Sequence, residues 1–334
     1  MSVDIAPPSR VLAVMDDSEA QTALVSAAGL ALRYNAKLEV FGCVEPPHDL
    51  NVLARLSGRD PDALLDTLFA HKKERMQAKL AQYLPDRQID IHLKTGKAFI
   101  EIVRHVITNE CDFVVKQAEP LTGMHRLLFA STDQHLLRKC PCPVWLQPSG
   151  VRQETKRVIA AVDVDLYDAP EPETLKTLNR RVIQTACLVA APTGAQVVVL
   201  HVWDAVGEGL AWAFSSKNDP RLSADLYINE IMADRQKAME RLLAEVRRTM
   251  SDSSATALVP RLIRGAPERV IEEQSVELGA DVVVMGTVAR TGLSGVFIGN
   301  TAENIINSLE CPVLAVKPDG FVSPLDQAFG TPAA

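Results

Sequence analysis

Short apolar runs of strand length recur along the chain, and amphipathic stretches separate them. Runs such as Val197-Val-Val-Leu-His-Val202 and Asp281-Val-Val-Val-Met-Gly286 are apolar almost throughout. Apolar side chains at successive positions mark strands covered on both faces, as in a parallel sheet held between helices. The runs predict strands over 10–15, 37–44, 88–94, 112–116 and 143–147, then over 157–162, 196–203, 257–263, 281–285 and 312–316. Helical periodicity predicts helices over 18–34, 61–84, 97–109 and 131–139, then over 174–191, 224–250, 266–278 and 300–309. The stretch 61–84 reads as amphipathic with a charged outer stripe. Strands alternating with helices give right-handed crossovers and a doubly wound α/β fold. In such sheets ligands sit at the carboxyl ends of strands, where strand order reverses.

The second set of elements repeats the first. One constant offset aligns Cys142-Pro-Val-Trp-Leu146 with Cys311-Pro-Val-Leu-Ala315 and Asp112-Phe-Val-Val115 with Asp281-Val-Val-Val284. The same offset aligns Gly96 with Gly265, Thr122-Gly123 with Thr291-Gly292, and Thr132 with Thr301. Nearer the start the offset shrinks: Val11 to Asp16 matches Val158 to Asp163, and Leu38 to Phe41 matches Val197 to Leu200. The second copy therefore carries extra residues in the acidic segment Asp165 to Thr174 and around Trp203 to Leu226. The pattern is one α/β unit duplicated. The expected domains are residues 1–150 and 151–320, joined through the polar stretch Arg152 to Arg157, with a loose tail at 321–334.

Composition narrows the partners. A length of 334 residues suits two domains. Lys plus Arg number 35 against 42 Asp plus Glu, a net charge of -7, and aromatics are 5%. Such a chain lacks the global basic footprint of a nucleic-acid or anionic-membrane binder, and it is poor in stacking platforms. Neither nucleic acid nor membrane is an expected partner. No run reaches the roughly 18 apolar residues of a membrane span, and the first residues hold no signal-type apolar run. A soluble, cytoplasmic protein is expected. The cysteines at 43, 111, 140, 142, 187 and 311 sit in apolar contexts and read as buried thiols of a reducing compartment.

One segment carries candidate chemistry. Residues 286–302 leave a buried strand, pass through several glycines and end at a helix start. A helix N-terminus offers free N–H groups and partial positive charge, and glycines let backbone approach phosphate oxygens. Asn300 or Thr301 would cap that helix. A glycine-tolerant connection with an ordinary cap is the alternative. Asp16-Asp17 and Asp163, Asp165 and Asp168 would gather Mg²⁺ with a triphosphate, but solvated acidic loops explain them better. Cys140-Pro-Cys142 reads as packing rather than metal or redox chemistry. His125, Arg126 and His135 with Arg138-Lys139 form either an anion site or a loop surface. His201 reads as a satisfied core histidine, and Leu210 to Ser215 as core cover rather than a pocket wall or interface. The G-x-S-x-G and G-x-x-x-x-G-K-[ST] signatures are absent, so no catalytic residue is expected and weak ATP hydrolysis ranks last.

The segments VLAVMDDSE, VVVLHVWD, the single Gly265 before a helix, and GTVARTGLSGVFIGNTAENIINSLECPVLAVKPD resemble the universal stress protein family over nearly the whole chain. The resemblance is to its tandem, E-type form. Nucleotide-binding members carry Gly, two residues, Gly, nine residues, Gly, then Ser or Thr. Gly286 and Gly299 match the first and third glycines; Ala289 replaces the second, and Asn300 replaces the hydroxyl residue, with Thr301 following. The resemblance implies Rossmann-like domains and an adenine-nucleotide site. It places Asp163 near adenine and ribose, the Val202 backbone at the adenine, and Gly286, Ala289 and Gly299 in the phosphate loop. Asn300 and Thr301 fall at the terminal phosphate. The implied ligand is ATP or a related nucleotide, with or without Mg²⁺, and neither is required for the fold. Ala289 adds a methyl and disfavours positive φ, and Asn300 has a different reach from Ser. In the first copy Gln117, Pro120 and Ala130 occupy the glycine positions, and only Ser131-Thr132 survive. Pro120 lacks an N–H, so that copy is expected to be degenerate. The resemblance also implies that the edge strands Val144–Leu146 and Val313–Val316 pair into an internal pseudo-dimer, and that such chains form homodimers. Two functional readings stand side by side. One is a non-catalytic stress-response protein binding an adenine nucleotide or other small anion in its second domain. The other is a nucleotide-independent scaffold for protein partners.

Overall fold

The computed structural model describes residues 6–18, 21–119, 131–148, 155–167, 169–213, 220–250, 257–287 and 299–326. Two compact units divide the chain, one built on Pro7–Gln153 and the other on Glu154–Leu293 with Phe297–Gly320.

The first unit runs β1 (Arg10–Val14), α1 (Thr22–Tyr34), β2 (Lys37–Val44), α2 (Leu50–Ser57) and α3 (Pro61–Tyr83). It continues with β3 (Asp90–Thr95), α4 (Ala98–Thr108), β4 (Phe113–Gln117), α5 (Thr132–Lys139) and β5 (Val144–Gln147). Its strands are parallel in the order β3-β2-β1-β4-β5. The second unit runs β6 (Arg157–Ala161), α6 (Pro172–Ala190), β7 (Gln196–Trp203), α7 (Glu208–Ala213) and α8 (Pro220–Thr249). It continues with β8 (Leu258–Arg264), α9 (Pro267–Glu277), β9 (Val282–Gly286), α10 (Asn300–Ser308) and β10 (Val313–Val316). Its strands are parallel in the same order, β8-β7-β6-β9-β10. Central strands are buried on both faces: Val11, Leu12 and Val114 in one unit, and Val158, Ile159 and Val283 in the other, expose no surface. This is why they read as unbroken apolar runs.

The repeated polar landmarks have structural work. The carboxylate of Asp112 accepts from the N–H groups of Ser9 at 2.7 Å and Arg10 at 3.1 Å. Asp281 does the same for Lys156 at 2.7 Å and Arg157 at 2.9 Å. Each acid anchors the chain entering its unit's central strand. Gly96 and Gly265 have φ of 146° and 154°, and their N–H groups donate to Val44 and Trp203 carbonyls, each at 3.0 Å. Few residues with a Cβ adopt that conformation.

Four expectations need correction. Helices α2 and α7 were not expected; each is short, and α2 leaves its apolar residues Val52, Leu53 and Leu56 exposed, burying only Ala54. Helix α8 starts at Pro220 rather than 224, since proline is tolerated in a first helical turn. Helix α3 buries only Met76 and Leu80, so its amphipathy is confined to a narrow patch. Leu210 and Trp212 are 63% and 56% exposed, which overturns core cover. The α7 segment meets α8 at Gly207, whose N–H donates to Tyr227 Oη at 3.2 Å. Phe214 and Ser215 lie outside the described residues. Among the described residues, no helix is long and apolar enough to cross a membrane.

Candidate functional site

In the second unit strand order reverses between β6 and β9. Asp163, Val202 and Gly286 stand at or just beyond the carboxyl ends of β6, β7 and β9, which are neighbours in register: Ala161 pairs with Leu200 and with Met285. The fold thus gathers three of the expected residues at one end of adjacent strands.

Asp163 is held by its backbone. The buried Asn179 of α6 accepts from Asp163 N–H at 3.0 Å and donates to its carbonyl at 2.6 Å. Asp163 Oδ1 accepts from Asp165 N–H at 3.1 Å. Asp165 in turn pairs with Arg235 of α8 at 2.6 Å. The acidic segment is therefore tied to two helices, and the reading of a merely solvated loop fails here. Asp168 lies outside the described residues. His201, buried on β7, sets Nδ1 against the Val162 carbonyl at 3.2 Å and 3.9 Å from Asp163 Oδ1. Its Nε2 is buried without a hydrogen-bond partner among the described residues, so this core histidine is only half satisfied. Burial pushes its pKa below the usual imidazole value, against the opposing pull of Asp163.

Gly286 closes β9 where there is no room for a side chain. A Cβ there would lie 2.6 Å from Cδ2 and 3.0 Å from Cγ of Leu178. Its φ lies outside the left-handed region, so space rather than conformation demands glycine. Beyond it Thr287 is buried and accepts from Lys317 Nζ at 2.8 Å. Gly299 is the N-cap of α10 and supplies no side-chain cap. Asn300 opens the helix and Thr301 follows, exposed. Val202 is half-buried on β7. Ala289 lies outside the described residues.

The corresponding end of the first unit is filled by its own side chains. Ser131 caps α5 by accepting from Gln134 N–H at 3.2 Å. The buried Asp133, in the first turn, accepts from Lys116 Nζ and from Glu119 N–H, each at 2.7 Å. Burial, with the charge of Asp133, pushes the Glu119 carboxyl above its usual range. Asp17 pairs with Lys72 at 2.9 Å and Arg75 at 3.2 Å. Burial alone would raise the Asp17 pKa, but these cations outweigh it and hold it below the usual range. The Asp17 side chain stays 63% exposed, so the solvated-loop reading fits here, with cations of α3 converging on the loop. Gln117 is buried, and Pro120, His125, Arg126 and Ala130 lie outside the described residues. His135 stacks on Phe99 at 4.0 Å and Lys139 Nζ lies 4.5 Å over the same ring, so both are engaged with an aromatic ring. Cys140 and Cys142 are buried thiols whose sulfurs lie 3.6 Å apart.

Sequence reasoning missed Asn179, Arg235 and the Lys116–Asp133 pair. Their partners are distant in the chain, and no local motif joins them.

Duplicated five-stranded parallel sheets with this strand order, each with its switch point beside the first strand, define a tandem doubly wound α/β class. The profile of the universal stress protein family matches residues 8–148 and 156–317, and the chain belongs to that family. It is 28% identical to universal stress protein E of Salmonella typhi over 95% of this chain and 96% of that protein. It is 27% identical to universal stress protein E of Escherichia coli K12 over the same shares. Among solved structures it resembles a functionally unknown protein, PA1789, of Pseudomonas aeruginosa PAO1, with a TM-score of 0.65 and 23% identity, covering 96% of this chain and 97% of that one. A universal stress protein from Archaeoglobus fulgidus gives a TM-score of 0.57 at 18% identity over 92% and 96% of the two chains.

Proposed function

We propose that this protein is a non-catalytic ligand-binding member of the stress response whose second unit binds an adenine nucleotide or a similar small anion. The observation that carries this is the contrast between two equivalent helix starts. At α5 a Ser131 cap and the Asp133–Lys116 pair occupy the entrance. At α10 the N-cap is Gly299, which brings no capping side chain to the first turn, and a helix start of this kind suits an anion through its N–H groups and dipole. The residues present fit a nucleotide. Asp163 offers a carboxylate acceptor to a ribose hydroxyl or amine, with its backbone fixed by Asn179. His201 Nε2 is a buried polar atom left over. Gly286 keeps the β9 end slim, and Gly299, Asn300 and Thr301 open the helix where phosphate oxygens would be received. Val202 would meet the base through its backbone, and Ala289 would line the loop. Mg²⁺ would travel with the phosphates rather than with a protein cage.

Binding to the native state alone stabilises it by about 2.7 kcal/mol at a hundredfold excess over Kd. ATP–Mg²⁺ should therefore raise the melting temperature without release of ADP. No shift at millimolar ATP would remove the proposal. A second reading, a scaffold for protein partners, is favoured by Leu56, Val206 and Leu210, which are 78%, 90% and 63% exposed. It predicts capture of partners unaffected by ATP.

A further inference from the structure

We propose that the first unit holds a transition-metal site, of the zinc class, formed by Glu39, His92, His105 and Cys111. The four residues come from β2, β3, α4 and the turn entering β4. They gather toward the amino-terminal edge of the sheet, the end opposite to the phosphate-type crossover. One ligand atom each from Glu39, His105 and Cys111 lie within 4.8 Å of one another, and all three residues are buried. His105 Nε2 stands 2.9 Å from Glu39 Oε2, and His92 Nε2 stands 3.5 Å from the same oxygen. The two imidazoles lie with centroids 4.5 Å apart. Bond lengths of about 2.0–2.3 Å place the donors of one tetrahedral zinc roughly 3.3–3.8 Å apart. Glu39, His105 and Cys111 would close on the ion by side-chain rotation, the ion replacing the Glu39–His105 hydrogen bond, and His92, at the rim of that trio with 32% of its side chain exposed, would swing in as the fourth ligand.

Two further observations favour a ligand. His92 Nε2 is buried with no hydrogen-bond partner among the described residues, so a donor already aimed into the cluster is spare. Glu39 is a carboxylate with 1% exposure whose Oε1 faces Lys37 at 3.0 Å and Arg10 at 3.7 Å, leaving Oε2 for the ion.

The second unit shows that the fold does not demand these residues. The equivalent positions there are Val198, Arg261, Gln274 and Ala280. Arg261 Nη1 simply donates to Gln274 Oε1 at 2.7 Å. A mixed nitrogen, sulfur and oxygen set selects zinc or cobalt over Mg²⁺ or Ca²⁺.

The test is titration of the full-length, chelator-stripped protein with Co²⁺ followed by absorption, and with Zn²⁺ against a chromophoric chelator. One equivalent per chain is expected, with a thiolate-to-cobalt charge-transfer band and tetrahedral d–d bands. His105→Gln and Cys111→Ala install the second unit's own residues, so the fold tolerates them. Cys111→Ala should abolish the charge-transfer band. His105→Gln should weaken Zn²⁺ binding by more than the roughly 10–100-fold that loss of an outer contact costs. Cys140→Ser should leave both unchanged. Absence of a thiolate band with wild type, survival of the band in Cys111→Ala, or its loss in Cys140→Ser would each overturn the assignment.

Discussion

Gly286 has two candidate reasons to be glycine, and one substitution separates them. Adding a methyl places Cβ 2.6 Å from Cδ2 of Leu178, where ordinary carbon contacts are about 3.5–4.0 Å. Leu178 is 5% exposed, so it has nowhere to swing. Overpacking of this kind costs about 1–3 kcal/mol. For a unit of this size that is a drop of roughly 2–12 °C in melting temperature, at about 2–4 °C per kcal/mol. Leu178→Val alone should cost about 0.5–1.5 kcal/mol as a lost methylene. Because the two side chains compete for one volume, the double variant Gly286→Ala with Leu178→Val should recover stability relative to Gly286→Ala alone. Urea or thermal unfolding of the four proteins, each with and without ATP–Mg²⁺, closes the cycle. If glycine serves only packing, the double variant regains both stability and the ATP-induced shift. If phosphate also approaches this backbone, stability returns but the shift does not. A Gly286→Ala protein that melts with wild type, or strict additivity in the cycle, would refute the steric reasoning.

Further outcomes follow from other contacts. Asp133→Ala leaves the Lys116 ammonium, with only 6% of its side chain exposed, with Glu119 at 3.8 Å as its nearest carboxylate; it should cost up to about 3 kcal/mol, and Lys116→Met with Asp133→Leu should recover most of it in chemical denaturation. Gly265→Ala combines φ of 154° with a Cβ 2.7 Å from Val270 Cγ2, whereas at Gly96 the nearest atom is the mobile Glu101 side chain at 3.3 Å. Melting curves should therefore show the larger loss at Gly265, above the roughly 1–3 kcal/mol of backbone strain both share. His201 titrates below its unfolded value of 6.5, so the unfolded chain binds the proton more readily. Its contribution is complete above that value and is lost as pH falls through and below it. Replacing it by Gln should flatten the fall in melting temperature between about pH 7.5 and about pH 5.5. Asn179→Ala removes both bonds to the Asp163 backbone and should cost about 1–3 kcal/mol together with part of the ATP shift.

The strands were legible because burial on both faces leaves runs such as Val197 to Leu200 with no polar interruption. The repeat was legible because Asp112 and Asp281, and Gly96 and Gly265, do the same backbone work in both units. Helices α2 and α7 were hidden because each is short and covers almost nothing. Of the candidate site, Asp163, Gly286 and Gly299 were singled out by the family resemblance of the segments that hold them. The role of Gly286 could not, because Leu178 lies on a different element. The contact of Asp163 with Asn179 joins a strand end to the next helix across 16 residues, and that of Asp165 with Arg235 spans 70 residues, so neither forms a local motif. The Glu39, His92, His105 and Cys111 cluster is dispersed over four elements and matches no local spacing. Its distinctiveness emerges only when the second unit's Val198, Arg261, Gln274 and Ala280 are set beside it.

The asymmetry between the two units is most directly tested by calorimetric titration of ATP–Mg²⁺ into wild type, Asp163→Ala and Asp16→Ala. The account predicts one site per chain in wild type, retained in Asp16→Ala and lost or severely weakened in Asp163→Ala. Two sites per chain, or binding that survives Asp163→Ala and disappears in Asp16→Ala, would contradict it.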